Sequence, residues 1–342
     1  MTRRTTTLLV TSILIVALAA VGLSLPVPFV VLQPGPTTDT LGSFDGHPLI
    51  TIAGGPKTYP VKGKLLLTTV AEQPDLSLVS AVRYWLSAHN AVVPEELINP
   101  SGSSQQEQQK QGQLDMVASQ ENATTAALHY LEITETVTVA ATTHGLPADG
   151  KLRTGDVLLP VDGKKLADSV DLRADVRRLK PGTSVTIGYR RDGHTAQVTL
   201  KTAAASPPDD PSKSVVGITP NDKPPFTIKI GLNGVGGPSA GLMFALGILD
   251  RLTPDNLTGG ATIAGTGEIE ADGTVDPIGG IQQKLVGARQ AGATTFLVPT
   301  ANCSEAAQAV PSGLRLVKVA SLSEAVRDLE AIRGGDTRQP GC

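Results

Sequence analysis

The pattern of apolar and polar positions divides the chain into an apolar N-terminal run and a long mixed part. An uncharged stretch, Thr5–Thr38, follows Arg3 and Arg4, and its apolar section runs from about Leu8 to Leu32. Because about 20 apolar residues suffice to cross a bilayer, this run predicts a transmembrane helix. Residues 1–34 are therefore predicted to form a cytoplasmic tip and a membrane anchor. The two arginines favour a cytoplasmic N-terminus, with the rest of the chain outside.

A cleaved signal peptide is the alternative interpretation of the same run. The segment Ala17-Leu18-Ala19 has the small residues of a cleavage site. Cleavage there would leave the apolar segment from Ala20 to Leu32 at a free end, and the run is longer than the core of a typical signal peptide. An anchor is the preferred interpretation, and Pro26 and Pro28 are expected to kink or end its helix near the outer interface.

Residues 42–133 combine a strand, two helical patterns and a polar stretch. The strand is predicted at 63–70, and the helices at 77–89 and 118–131. Between the two helices, the Gln- and Ser-rich run 101–113 is predicted to be mobile or solvated.

Residues 134–203 have the pattern of short strands around one helix. Strands are predicted at 156–161, 184–190 and 196–201, with tight Asp-Gly turns at 162–163 and 192–193. The helix is predicted at 169–179, since Lys180-Pro181-Gly182 gives a stop signal. A linker rich in Pro, Ser and Asp, residues 204–213, marks the end of this module.

The last long segment, residues 214–335, contains the candidate chemistry. Ser239 lies in a glycine-rich loop that runs into the apolar segment Leu242–Leu252, and Lys284 follows the turn at Gly279-Gly280. A serine hydroxyl becomes a good nucleophile when a base removes its proton, and a desolvated neutral lysine can be that base. Taken singly, such a serine is most often a helix cap and such a lysine a solvated side chain.

The helical surroundings of Lys284 favour the catalytic interpretation. Its neighbours at i−3, i+3 and i+4 are Ile281, Gly287 and Ala288, which are apolar or small. The lysine is therefore predicted to lie on or beside the buried face, away from Gln282, Gln283 and Arg289. Burial would lower the pKa of the amine and leave it neutral more of the time, as a general base requires.

The residues around this pair resemble the proteolytic domain of Lon-type serine peptidases, from about 228 to 302. The resemblance is carried by short motifs in order: Gly237-Pro238-Ser239-Ala240-Gly241, Thr266-Gly267-Glu268-Ile269, Asp272-Gly273, Pro277-Ile278-Gly279-Gly280, Lys284, Ala288, Ala291-Gly292-Ala293, Val298-Pro299 and Asn302. It implies that Ser239 is the nucleophile, that Lys284 is the general base and that Thr266 helps to orient the lysine amine. Gly237, Pro238 and Ala240 would support the loop, and N–H groups from Gly237 to Ala240 would stabilise the oxyanion.

Two positions depart from the family pattern. Many Lon-type enzymes carry an acidic residue where this chain has Gly236, and a Lys-Glu pair where it has Gln282-Gln283. Both members of the dyad are present, so we expect these changes to alter substrate selection or the assembly of the site.

Lon proteases proper also carry an ATPase module, and the chain is predicted to lack one. The segment from Gly145 to Lys151 fits GxxxxGK, but the next residue is Leu152, so the magnesium-binding hydroxyl of a phosphate-binding loop is missing. This segment is interpreted as a loop, and the enzyme is predicted to be independent of ATP.

Residues 134–203 resemble a bacterial PDZ domain through three short segments: 152–158, 161–163 and 180–182. PDZ domains capture extended peptides by strand addition, so the resemblance implies substrate recognition, with residues 137–144 near the groove. Residues 113–119 resemble the early part of a Lon-type domain. The expected fold is therefore an α/β (α+β) Lon-type peptidase domain with an inserted or preceding PDZ β-barrel-like domain and one transmembrane helix. In this arrangement residues 42–133 supply the first part of the peptidase domain.

Composition and charge limit the classes of partner that we expect. The 342 residues carry a net charge of −3 without a basic stripe, which argues against nucleic acid. No cofactor and no metal site is predicted, and the resemblance allows a homo-oligomer. Cys303 and Cys342 are expected to lie outside the membrane, where a disulfide tying the C-terminal tail, residues 336–342, is favoured over two free thiols.

The predicted function is an ATP-independent, membrane-anchored serine endopeptidase that cleaves extracytoplasmic proteins or peptides with PDZ-assisted recognition. One alternative is a catalytically silent PDZ scaffold at the membrane surface. Another is a hydrolase that uses serine and histidine, although the histidines, at 47, 89, 129, 144 and 194, all precede Ser239 and none lies in an evident catalytic motif.

Overall fold

The computed structural model describes residues 3–87, 89–98, 104–207, 210–336 and 338–342. Its helices are α1 (Arg3–Ser24), α2 (Leu78–Trp85), α3 (Glu95–Ile98), α4 (Gln105–Tyr130), α5 (Ser169–Arg177), α6 (Gly241–Leu252), α7 (Ile281–Gln290), α8 (Cys303–Ala306) and α9 (Leu322–Arg333), with 3-10 turns at Thr300–Asn302 and Ala307–Ala309. Its strands are β1 (Pro26–Val27), β2 (Phe29–Asp39), β3 (Ser43–Phe44), β4 (His47–Pro48), β5 (Ile50–Ala53), β6 (Lys64–Gln73), β7 (Leu76–Ser77), β8 (Ala91–Pro94), β9 (Thr136–Thr142), β10 (Val157–Val161), β11 (Ser184–Arg191), β12 (His194–Lys201), β13 (Ala203–Ala204), β14 (Ser214–Val215), β15 (Ile218–Lys223), β16 (Thr227–Ile230), β17 (Thr262–Gly265), β18 (Glu268–Ile269), β19 (Val275–Asp276), β20 (Thr295–Pro299) and β21 (Arg315–Val319).

Helix α1 is long and apolar enough to cross a membrane, and none of its residues is buried in the protein. It ends at Ser24, before the end of the anchor predicted at 1–34. Prolines at 26 and 28 lack the N–H groups that a continuing helix would need. The apolar residues that follow form β2, in which Val31 is fully buried. The last part of the predicted anchor therefore belongs to the globular fold.

A six-stranded sheet, ordered β21-β20-β17-β6-β2-β8, organises the first unit of the fold. Strands β21, β20, β17 and β6 run parallel, whereas β2 is antiparallel to both of its neighbours. Strand β6 comes from the N-terminal third of the chain and pairs directly with β17, with Leu65 opposite Ile263. Distant parts of the sequence thus meet in one sheet.

Successive side chains of β6 point to opposite faces of this sheet and fill two cores. Leu65 and Leu67 belong to the larger core, in which α4, α6 and α9 pack. Leu66 lies on the other face with residues of α7, among them Ile281 and Leu285. Burial on both faces explains the apolar run of β6, as expected for a strand in a parallel sheet.

Helix α4 is longer than the sequence predicts. Its N-cap, Ser104, accepts a hydrogen bond from the N–H of Glu107, and the Glu107 carboxylate accepts one from the N–H of Ser104. This capping box starts the helix inside the run 101–113, which was predicted to be mobile or solvated. From residue 104 onward the run is helical and most of its described side chains are exposed, so it is solvated within a regular helix. Residues 101–103 lie outside the described part of the chain.

A five-stranded sheet, ordered β12-β11-β10-β9-β15, forms the second unit together with α5. Its separate core contains Val137, Leu172 and Ile187. This core also includes Val216, and β15 pairs with β9, so residues of the predicted peptidase segment 214–335 pack in the second unit. The fold of this unit continues beyond the linker predicted at 204–213, because β14 and β15 complete its sheets.

The position of β9 changes the expectation for the peptide groove. Strand addition requires a free edge, and β9 is paired with β10 on one side and β15 on the other. The edge strands of this sheet are β12 and β15. A groove at residues 137–144 would therefore have no free edge on β9, and the nearest free edge belongs to β15.

Two other features of the sequence have definite places in the fold. A disulfide joins Cys303, at the start of α8, to the C-terminal Cys342, with 4.9 Å between their Cα atoms. The GxxxxGK segment, 145–151, forms turns between β9 and β10, where Ala148 packs in the core of the second unit.

Candidate active site

Ser239 is half-buried in a tight loop immediately before α6, residues 234–240, which we call the serine loop. The helix begins at Gly241 with Ala240 as its N-cap, so the serine precedes the first turn. Gly237 has a φ of 89°, a conformation that residues with a Cβ rarely adopt. The glycine thus allows the chain to turn sharply and to bring the serine to the N-terminal end of an almost wholly buried helix.

Contacts from both sides fix the backbone of this loop. From α4, the Gly112 carbonyl accepts a hydrogen bond of 2.8 Å from the Gly237 N–H, and the Ser119 hydroxyl donates one of 2.7 Å to the Pro238 carbonyl. From the end of β17, the Thr266 hydroxyl and the Gly267 N–H donate to the Ser239 carbonyl, at 3.0 and 2.9 Å. The loop therefore has a defined backbone position on which a reactive side chain can be held.

These contacts limit which of the N–H groups predicted to stabilise the oxyanion are free to do so. The Gly237 N–H is already bonded to Gly112, Gly241 donates to Pro238, and Leu242 donates to Gly267. Proline has no N–H. Between Gly237 and Leu242, the N–H groups without a hydrogen-bond acceptor in the described protein are those of Ser239 and Ala240.

Lys284 lies in α7, and only 3% of its surface is exposed. Its Nζ donates a hydrogen bond of 3.0 Å to the Thr266 hydroxyl, which is fully buried. Burial lowers the pKa of the amine from 10.5 to about 8. A substantial share of the molecules therefore carries a neutral amine at mildly alkaline pH.

The start of α7 explains how the lysine enters the site. The N-cap, Gly280, has a φ of 66°, and a Cβ there would approach a Val70 methyl to 2.6 Å. The glycine thus lets the helix begin directly against β6. The expectation that Gln283 lies away from the buried face is wrong, since it is only 5% exposed.

Ser239 and Lys284 line one cavity of about 520 Å³. The cavity is formed by residues from β2, β6, α3, α4, the serine loop and α7, namely Leu32, Pro36, Thr68, Thr69, Val70, Glu72, Ile98, Met116, Gly234, Val235, Gly236, Pro238, Ser239, Ala240, Gly279, Gly280 and Lys284. Ser239, the predicted nucleophile, and Lys284 thus line the same cavity, and the Lys284 amine also contacts Thr266.

The contribution of α4 is the part of the site that the sequence reveals least. Resemblance alone indicated the segment that ends at Ser119, without a role for its hydroxyl. Gly112 lies in the run interpreted as mobile or solvated, so its contact with the serine loop was not predicted. The capping box at Ser104 and Glu107 was the available signal that a helix begins there.

The histidines lie elsewhere. His129 Nδ1 is 2.5 Å from an Asp168 carboxylate oxygen, and His144 Nδ1 is 2.9 Å from Asp149. None of the five histidines is among the residues that line the cavity. In the described part of the chain, no three His, Cys, Asp or Glu side chains are grouped so that they could hold a metal ion.

Two family models match separate parts of the chain. Residues 230–330 match the family model of the Lon protease (S16) C-terminal proteolytic domain, and residues 113–202 match that of the PDZ domain. Lon protease 2 of Herpetosiphon aurantiacus is 42% identical over 79 residues, which cover 23% of this chain and 9% of that protein. Lon protease 2 of Bacillus subtilis is 32% identical over 120 residues, which cover 33% of this chain and 20% of that protein.

Among solved structures, the PDZ domain of an SdrC-like protein from Listeria monocytogenes is 26% identical, with a TM-score of 0.23, and the match covers 24% of this chain and 84% of that one.

The region matched to the two Lon proteases spans only a fifth or less of the length of those proteins. The matched residues 230–330 include the serine loop, Thr266 and Lys284. The chain thus matches the Lon (S16) proteolytic domain over one part of its length and the PDZ domain over another.

Proposed function

We propose that the protein is an ATP-independent, membrane-anchored serine endopeptidase that uses Ser239 as nucleophile and Lys284 as general base. The observation that carries this proposal is the environment of Lys284. Its amine is buried, its pKa is lowered, it is hydrogen-bonded to Thr266, and it lines the cavity that Ser239 also lines. A buried amine with a lowered pKa, on the cavity that a serine on a fixed loop also lines, has the properties of a catalytic base.

In the proposed reaction, the neutral amine of Lys284 takes the proton of the Ser239 hydroxyl while its oxygen attacks the substrate carbonyl carbon. The N–H groups of Ser239 and Ala240 stabilise the negative charge on the carbonyl oxygen. Lys284 then gives its proton to the leaving amine, and an ester-linked acyl-enzyme remains. Water, deprotonated by the same lysine, hydrolyses the ester and frees the serine.

We further propose that the second unit is inserted into the peptidase domain, with residues 42–133 as the first part of that domain. Strand β6 lies between β17 and β2 in the same sheet, and the cavity has walls from both sides of the second unit in sequence. The second unit would then present the free edge of β15 to extended substrates in extracytoplasmic proteins or peptides.

In the same proposal α1 is retained as the anchor, with the N-terminus in the cytoplasm and the catalytic domain outside. The arginines at positions 3 and 4 precede the apolar segment, which favours this orientation. The dyad supplies all the proton transfers of the proposed reaction, so its chemical steps use no nucleotide.

Labelling with a fluorophosphonate tests the enzyme against a silent scaffold, since this probe reacts with an activated serine hydroxyl. We expect mass spectrometry to find the adduct on Ser239 of the membrane-bound full chain. Ser239→Ala should abolish labelling and Lys284→Met should greatly slow it, whereas the exposed Ser312→Ala should leave it unchanged. A folded wild-type protein that does not react would favour the scaffold, and an adduct on another residue would overturn the dyad.

A further inference from the structure

The apolar face of α2 points away from the protein. Leu78, Val82 and Leu86 follow one another at intervals of four residues and are all exposed, and Val79 and Trp85 flank this stripe. Leu86 is 74% exposed and Trp85 is 72% exposed. We call these five residues the α2 stripe. A surface helix normally turns such a stripe towards the core.

The opposite, inward face of α2 is the more polar one. Ala81 is its one buried residue and packs against Val31 and Leu76. Beside it, the Ser80 hydroxyl is 3.0 Å from that of Ser77, and the Tyr84 hydroxyl donates to Gln73. The more apolar face of α2 therefore points outward, and no part of the described chain covers it.

Helix α2 begins directly beside the end of α1. The Leu78 N–H donates a hydrogen bond to the carbonyl of Leu25, the first residue after α1. Strand β1 pairs with β7, and α1 and α2 are in contact. The α2 stripe therefore lies where the chain would leave a bilayer that α1 crosses, next to the uncovered apolar surface of α1 itself.

We propose that α2 lies in the surface of the lipid bilayer, with the α2 stripe in the boundary between headgroups and acyl chains. This inference rests on the proposed anchoring by α1. Helices of this kind bury their apolar face about 5–10 Å into that boundary, and tryptophan is enriched there. The one charged residue within α2, Arg83, is exposed on the border of the stripe, from which its long side chain can reach lipid phosphates.

The interaction is mainly apolar and does not require anionic lipid. The α2 stripe has five apolar side chains and only one arginine at its border. Glu95 adds a negative charge near the same end of α1, because its N–H donates to the Pro28 carbonyl. Contact with the bilayer would hold the first unit close to the membrane surface through two elements, α1 and α2. Substrates near that surface would then be favoured over those in bulk solution.

Trp85 is the only tryptophan of the chain, so its fluorescence reports on the α2 stripe alone. The full chain is reconstituted in phosphatidylcholine vesicles, and quenching is measured with acyl chains brominated near the headgroup and, separately, with aqueous acrylamide. We expect strong quenching by the brominated lipid and protection from acrylamide. Since both leaflets have the same composition and acrylamide is present inside the vesicles as well as outside, the direction of insertion does not affect the result.

The double variant Val82→Ser, Leu86→Ser tests the stripe while it keeps the tryptophan. We expect it to lose most of the lipid quenching and to gain quenching by acrylamide. The matched control is Leu114→Ser, Val117→Ser, which replaces a Leu and a Val that are exposed on α4, and it should behave like the wild type. An equal loss of lipid quenching in both double variants would overturn the proposal.

Two further results would also overturn it. Quenching by acrylamide but not by lipid would mean that α2 is in water, and protection from both would mean that a protein, such as a second copy of this chain, covers the stripe. Extraction with alkaline carbonate after the fluorescence measurement tests the anchor separately, because a spanning helix stays with the lipid. Release by carbonate contradicts the anchoring by α1, whereas retention with unquenched Trp85 contradicts only the bilayer contact of α2.

Discussion

At the scale of the residue, Lys284 is the most informative side chain. Burial is the cause of its lowered pKa, and its amine meets a neutral hydroxyl, that of Thr266. An opposite charge at this place would have stabilised the ammonium form and kept the pKa high. The site is thus arranged to make the neutral amine accessible.

The activity should rise with pH because the base must be unprotonated. With a pKa of about 8, roughly a tenth of the molecules carry the neutral amine one pH unit below that value, and most of them one pH unit above it. We therefore expect kcat/KM to increase about tenfold per pH unit on the acid side and to level off above pH 8 to 9.

Peptide hydrolysis measured from pH 6 to 9 checks this expectation, with circular dichroism recorded at each pH to show that the protein stays folded. A flat or falling profile on the folded protein would argue against a lysine base.

The sequence reveals these residues because their chemistry is local. Glycine turns, a serine before an apolar helix and the small neighbours of Lys284 can all be read along the chain. The burial of Gln283 could not be read in this way, because its surroundings come from parts of the fold that are distant in sequence. The hydrogen bond from Lys284 to Thr266 likewise depends on how α7 packs on the sheet.

At the scale of the element, α4 links the serine loop to the second unit. It contacts the loop through Gly112 and Ser119, and near its end His129 is paired with Asp168, the N-cap of α5. A single helix thus contacts both the candidate catalytic loop and the helix of the PDZ-like unit.

Loss of the Ser119 hydroxyl should impair catalysis more than folding. Ser119→Ala removes the donor to the Pro238 carbonyl, and a displaced nucleophile can lower the rate by up to about 10²-fold. The free energy of unfolding should fall by only about 1 kcal/mol, the usual net value of one hydrogen bond. Steady-state kinetics and urea unfolding measure the two effects.

Ser214→Ala is the matched control, because Ser214 is also buried and its hydroxyl donates to a carbonyl, that of Leu179, within the second unit. It should destabilise the protein to a similar degree with little change in kcat. If both variants lower kcat equally, Ser119 has no special part in holding the loop.

The extent of α4 was only partly predictable. Its second half is rich in alanine and apolar residues, and the helix was predicted there. The first half is rich in Gln, which is typical of both helices and solvated segments, so composition alone did not predict a helix there. This half is in fact both helical and mostly exposed.

At the scale of the whole molecule, the candidate site exists because two distant segments fold together. Leu65 and Leu67 of β6 and Met116 of α4 share one core with the buried side of α6. Local patterns predicted most of these elements, but strand order is a property of long-range pairing and could be inferred only from the resemblance. The role of β15 in the second unit was missed for the same reason.

The fragment of residues 207–342 should therefore not fold alone. It lacks β2, β6, β8 and α4, so β17 would lose one neighbour and α6 would expose core residues such as Leu246 and Phe244. We expect no cooperative thermal transition, whereas the fragment of residues 26–342, which lacks only α1, should melt cooperatively. A sharp transition of the shorter fragment, seen by calorimetry, would contradict the inserted arrangement.

Cleavage of an unfolded polypeptide in the absence of nucleotide tests the central claim most directly. The full chain in vesicles, Ser239→Ala, Lys284→Met and the exposed control Lys318→Met would be compared, with products identified by mass spectrometry. We predict cleavage at defined peptide bonds by the wild type and the control, and none by the two dyad variants. Cleavage that persists without the lysine, or that requires ATP, would contradict the account.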